Sequence, residues 1–152
     1  MGKHYSLDKM LNCVYIPKVT VKWNDDESLH LRDKLEPTRC EGQTDFFMIF
    51  EWLRQAGVKR ILQVIVDDST KPEDEDPRPH SDDAIFHCLV PFEIEVWDWK
   101  RLDISSDLIR RIGENHISEV HLYCSGLDAV LRHWSDRNGL ARLSKVRPNR
   151  AG

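Results

Sequence analysis

The chain has 152 residues, 40% hydrophobic and 32% charged, with a formal net charge of −4. That length supports one domain able to bury about 70% of its unfolded surface. The mild acidity gives no general attraction for nucleic acid or anionic membrane, and no apolar run approaches the roughly 18 residues of a membrane span.

Residues 1–43 differ in style from the rest. Val19-Thr20-Val21-Lys22-Trp23 and Ser28-Leu29-His30-Leu31-Arg32 both alternate around the turn-forming Asn24-Asp25-Asp26-Glu27, which predicts an antiparallel β-hairpin. Met1-Gly2-Lys3-His4-Tyr5-Ser6 lacks the apolar core of a secretory signal, although Gly2 and Ser6 fit the short myristoylation pattern. A first helix is expected from Thr44 or Asp45, with Phe46, Phe47, Ile49, Phe50, Trp52 and Leu53 apolar around most of its circumference and Gly57 at its end. Such a helix is either buried on two sides or presents an adhesive face.

The β-branched run Arg60–Asp68 predicts a strand, followed by an acidic, three-proline loop over residues 68–80. Ser81 is placed to cap a helix bearing Ala84, Ile85, Cys88 and Leu89, with Pro91 as its stop. A strand from Phe92 to Trp99 alternates, with Ile94 and Val96 on one side and Glu95, Trp97 and Trp99 on the other. Ser105 or Ser106 then caps a helix carrying Leu108, Ile109 and Ile112. Glu119–Cys124 is a third strand, and a last helix places Leu127, Val130, Leu131 and Trp134 on one face. Leu140, Leu143 and Val146 suggest a final short strand before a basic tail.

Alternating strands and helices predict a single α/β domain over residues 1–152: a hairpin subregion (1–43), a core (44–143) and a tail (144–152). Its sheet is expected to be mostly parallel, with three or four strands flanked by helices.

Ligands of open parallel sheets sit beyond the carboxyl ends of the strands. Those ends carry Asp67, Asp68, Asp98 and Ser125, with Asp103 nearby. Clustered carboxylates there suit Mg²⁺ and hence a small hydrolase or phosphoryl-transfer enzyme, or else they cap turns. No G-x-G-x-x-G or Walker-type loop follows the first core strand. None of the seven histidines forms an H-x-x-x-H pair and none of the four cysteines a C-x-x-C pair. Free thiols in a reducing compartment are therefore expected, with an intracellular and cytoplasmic location. His80 reads as a local hydrogen-bonding group or a catalytic one. Trp97 and Trp99 are packed under a helix or form an aromatic recognition surface. Glu73, Asp74, Glu75 and Asp76 make a solvated loop, a cation-collecting loop or a docking strip for a basic partner.

Val64-Ile65-Val66-Asp67-Asp68, His80-Ser81-Asp82-Asp83-Ala84-Ile85, Glu95-Val96-Trp97-Asp98-Trp99-Lys100, Glu119–Tyr123 and Ala129–Asp136 are further informative. Together with Gly57–Ile61, they resemble the N-terminal region of fungal proteins that continue into a subtilisin-like (S8-type) serine protease domain. The resemblance spans about residues 44–143. The acidic segment before His80 is longer here, and Leu127-Asp128 replaces an asparagine pair. No subtilase Asp, His or Ser motif occurs in the chain, so the resemblance implies a non-catalytic interaction or regulatory module whose partner is a protein, with the protease domain itself a candidate.

Overall fold

A computed structural model describes residues 7–18, 45–74, 78–113, 117–137, 139–140 and 147–148. The elements in order are β1 (Met10–Ile16), α1 (Asp45–Gln55), β2 (Arg60–Val66), α2 (Asp82–Leu89), β3 (Glu93–Leu102), α3 (Ser106–Gly113), β4 (Glu119–Tyr123), α4 (Asp128–Ser135) and the two-residue β5 (Arg147–Pro148). The strands form one sheet in the order β1-β2-β3-β4-β5, every neighbouring pair parallel. The α/β class and the parallel sheet match the sequence pattern. The expected hairpin at 19–32 lies outside the described residues, as do Leu143 and Val146. What precedes α1 among the described residues is β1, a strand of the same parallel sheet.

Local chemistry explains the boundaries. At the end of α1, Gly57 takes φ +97°, while Val58 N–H reaches Leu53 O and Gly57 N–H reaches Arg54 O. This is a Schellman stop, in which glycine avoids the Cβ cost of left-handed backbone. Ser81 Oγ accepts from Ala84 N–H at 3.2 Å to cap α2, and Ser105 Oγ accepts from Leu108 N–H at 3.1 Å to cap α3. Beyond β3, Asp103 adopts φ 57° and its N–H bonds Tyr123 O, which turns the chain out of the sheet.

Sequential parallel order with right-handed crossovers puts every connecting helix on one face of the sheet. The packing agrees: α1 lies against α2 and α2 against α3. Phe46 and Phe50 of α1 meet the Trp99 ring, and Phe50 also meets Phe92. Ala84, Ile85, Cys88 and Leu89 of α2 are buried, as are Leu108 and Ile109 of α3. None of the residues of α4 is buried, Leu127 and Leu131 are exposed, and Trp134 Nε1–H donates to Ile104 O at 2.8 Å.

Strand burial does not simply alternate. Ile61, Val64 and Val66 are buried in β2, Ile94, Trp97 and Trp99 in β3, and Ile117 and Val120 at β4. The predicted division of β3, with Ile94 opposite the tryptophans, is therefore wrong, because burial skips two residues between Ile94 and Trp97. The same skip occurs in the neighbours, and the register runs through it as 61↔94 and 64↔97. The strands shift phase together.

Candidate functional site

Past that step, the helix-facing side chains are Val64, Val66 and Asp68 on β2 and its exit, and Trp97 and Trp99 on β3. Asp68 is a buried carboxylate without an arginine or lysine partner among the described residues. Instead it accepts His80 Nδ1–H and Trp99 Nε1–H, both at 2.8 Å, and His80 backbone N–H at 3.2 Å. His80 is fully buried, stacked on Phe46 with centroids 4.3 Å apart. Its Nε2 accepts Phe46 N–H at the start of α1, at 3.2 Å. Since Nε2 accepts, the proton sits on Nδ1 and points at Asp68. Arg101 closes the unit by donating to His80 O at 2.9 Å while pairing with Asp82 at 2.6 Å. Both ring nitrogens of His80 are thus occupied inside the core. The dyad has the contacts of a brace pinning the acidic loop, α1 and β3 together, with no open nitrogen for proton transfer.

Alternation sends the intervening residues to the other face. The register aligns Tyr15, Ile65, Asp98 and His121 in one row and Cys13, Gln63, Val96 and Glu119 in another. Asp67, Lys100 and Tyr123 continue that face toward the carboxyl ends. Tyr15 and Cys13 are exposed and the others half-buried, and no described helix covers them. The polar groups pair across strands: Tyr123 OH donates to Asp98 at 2.8 Å, and His121 Nε2 lies 2.7 Å from Glu119. Burial, then the hydrogen bond to Asp98 and the charges of Asp98 and Asp67, push the Tyr123 phenol up to about 12. Asp67 stays below the usual carboxylate range chiefly because the Ser69 hydroxyl donates to it, with Lys100 and Lys18 adding smaller attractions.

The sequence-predicted residues are therefore dispersed. Asp67 and Asp98 lie on the open face, whereas Asp68 turns into the core, so the three carboxylates do not converge as a Mg²⁺ site would require. Among the described residues no group of three or more His, Cys, Asp or Glu side chains is placed to hold a metal ion. Ser125 is spent on Asp103, its hydroxyl at 2.6 Å and its N–H at 2.9 Å, and that bond holds the Asp103 carboxyl low. Trp97 and Trp99 are 1% and 0% exposed and His80 0%, so none of the three presents a surface to a partner. His80 does make hydrogen bonds, though to Asp68 twelve positions away rather than locally. In the acidic loop, Glu73 is exposed, Asp74 is held by Lys18 at 2.5 Å and Lys71 N–H at 2.7 Å, and Glu75 and Asp76 lie outside the described residues.

Sequence reasoning passed over Lys100, Glu119, His121 and Tyr123. Their signal was the period-two polar set Glu119, His121, Tyr123 within an otherwise apolar strand. At the opposite end of the sheet a cleft of about 590 Å³ is lined by residues including Arg54, Lys59, Phe92, Glu93 and Arg111. Arg54 is paired with Glu51 and Arg111 with Asp83, and the C-terminal ends of α1 and α2 disfavour an anion there. Comparison with protein-family models, curated proteins and solved structures finds no match.

Proposed function

We propose that the chain is a non-catalytic protein-binding or regulatory module of the kind that accompanies a fungal subtilisin-like protease domain, with the sheet face opposite α1, α2 and α3 as its contact surface. One observation carries the reading. A parallel sheet normally has both faces covered, whereas here α1, α2 and α3 pack side by side along one of them. The other side offers apolar Tyr15, Ile65 and Val96 interleaved with Asp98, Glu119 and His121. Apolar anchors within a pre-paired polar grid suit protein recognition, because the polar groups already have partners and lose little on desolvation. The sequence resemblance makes the protease domain, or a sensor upstream of it, the candidate partner.

The test is calorimetric titration of the whole chain with a subtilisin-like domain encoded in the same genome. Binding is expected in the micromolar range typical of modular contacts, weakened about tenfold or more by Ile65→Glu or His121→Glu. A chain that gives no heat with that domain, or face variants that bind like wild type, would overturn the proposal.

A further inference from the structure

Several carboxylates of the described surface meet an arginine: Glu51 pairs with Arg54, Asp82 with Arg101, Asp83 with Arg111 and Asp107 with Arg110. Three on the sheet face opposite α1, α2 and α3 do not. Asp67 accepts the Ser69 hydroxyl at 2.6 Å, Asp98 accepts the Tyr123 hydroxyl at 2.8 Å, and Glu119 lies 2.7 Å from His121 Nε2. Hydroxyl and neutral imidazole donors orient a carboxylate without cancelling its charge. Among the described residues none of the three is bonded to an arginine or lysine. Lys100 and Lys18 attract Asp67 from a distance, and Lys18 is already bonded to Asp74. The nearby Arg60 and Glu95 pair with each other, so carboxylate remains in excess on this face. The Tyr123 phenol senses that excess: beyond burial and its bond to Asp98, the charges of Asp98 and Asp67 raise it further.

We propose that the partner docking on this face carries an apolar centre, seated over Tyr15, Ile65 and Val96, flanked by lysine or arginine side chains over Asp67, Asp98 and Glu119. The inference rests on the reading of this face as the contact surface and adds the chemistry of what it contacts. Desolvation selects that chemistry. Covering three ionised carboxylates with an apolar or acidic surface would bury charge without compensation, which is costly. A basic surface compensates them, and the neutral donors have already fixed their directions. The apolar part is at hand on the same face, with Tyr15 59% exposed and Ile65 and Val96 half-buried. Opposite charges across such a contact also speed the encounter and make it sensitive to salt.

The test uses two amphipathic synthetic peptides of equal length, one of leucine and arginine and one of leucine and glutamate, titrated into the isotope-labelled whole chain. The arginine peptide should shift the amide resonances of Ile65, Asp98, His121 and Tyr123, and the glutamate peptide should not. Its Kd should rise about fivefold or more between about 50 and about 200 mM salt. Asp98→Asn and Glu119→Gln remove charge but keep an oxygen acceptor for Tyr123 and His121, and each should weaken binding about threefold to tenfold. Glu73→Gln, on the exposed loop, should leave it unchanged. Equal binding of both peptides, shifts confined to Ser69 through Asp74, or amide variants that bind like wild type would overturn the inference. The protease-domain titration separates the two readings. A domain that gives no heat while the arginine peptide binds this face removes that partner and leaves the basic chemistry standing. A domain bound equally by wild type, Asp98→Asn and Glu119→Gln, but lost in Ile65→Glu, keeps the contact face and removes the basic chemistry.

Discussion

Replacing Asp68 with alanine tests whether the buried brace holds the domain together. The substitution strips the acceptor from three buried donors at once: His80 Nδ1–H, Trp99 Nε1–H and His80 N–H. Hydrogen bonds to a charged group contribute about 1.5–3 kcal/mol each, and a buried donor left unpaired costs about 1–3 kcal/mol. The two 2.8 Å bonds dominate, so a loss of about 3–6 kcal/mol is expected, against a total of about 5–15 kcal/mol for a domain of this kind. Asp67→Ala, one residue away on the half-exposed face, should cost under about 1 kcal/mol. Urea unfolding followed by tryptophan emission measures both, and an unchanged m-value would confirm that stability alone has moved. Asp68→Asn separates charge from geometry: its carbonyl oxygen still accepts from His80, but its amide cannot accept from Trp99. If Asp68→Ala lost less than about 1 kcal/mol, the three donors would have to find other acceptors and the brace would be wrong.

The two core tryptophans should respond differently to phenylalanine. Trp97 Nε1–H is buried with no acceptor while Trp99 Nε1–H is bound to Asp68, so Trp97→Phe should cost about 1–2 kcal/mol less than Trp99→Phe in the same unfolding assay. Tyr123, raised to about 12 in the folded state, holds its proton longer than in the unfolded chain. Its contribution to stability is therefore full below pH 10 and falls as pH rises toward 12. Ultraviolet difference titration against Tyr123→Phe should show the late ionisation, and Asp98→Asn should shift it only part of the way back, since burial is the larger cause. Gly57→Ala, at φ +97° with open space around it, should cost about 1 kcal/mol through backbone strain alone, read as a lower melting temperature with no change in circular dichroism.

Helix limits were the most legible part of the chain, because they rest on contacts within a few residues. Ser81, Ser105 and Gly57 sit where capping chemistry puts them, and the apolar faces of α2 and α3 are the buried ones. β1 went unrecognised because Met10–Ile16 has apolar residues at both odd and even positions and so shows no period of two, and its strand state depends on pairing with β2. The helix α4 was legible, but its exposure was not. Leu127, Val130, Leu131 and Trp134 have helical spacing, but periodicity states which residues share a side and not whether anything covers it. Among candidate site residues, adjacency in sequence hid separation in space. Asp67 and Asp68 are consecutive at a strand exit, so the pleat sends one carboxylate to the open face and the other into the core. The partner that makes Asp68 unavailable, His80, is twelve residues away across a proline-rich loop, a contact no local rule predicts.

The burial step in the strands ties architecture to the proposed contact face. Ile61, Val64 and Val66 repeat the spacing of Ile94, Trp97 and Trp99, and Ile117 and Val120 begin it again. Read as ordinary strands, these sets appear to contradict alternation. They agree with one another, however, and the offset between strand partners is the same before and after the step. A phase change in one strand alone would leave unpaired ladder groups, as a bulge does, whereas a change made in the same row of adjacent strands preserves their pairing. Its effect is directional. Before the step, Ile61 and Ile94 fill the core near the cleft. After it, the tryptophans take the helix side, and the side chains left to the other face are Gln63, Ile65 and Asp67, then Val96, Asp98 and Lys100, then Glu119, His121 and Tyr123. Without the step, strict alternation from Ile61 and Ile94 would turn Asp98 and Lys100 toward the helices, where an unpaired buried charge is costly. The spacing that obscures the strand pattern is thus the spacing that puts the polar residues on the face opposite α1, α2 and α3.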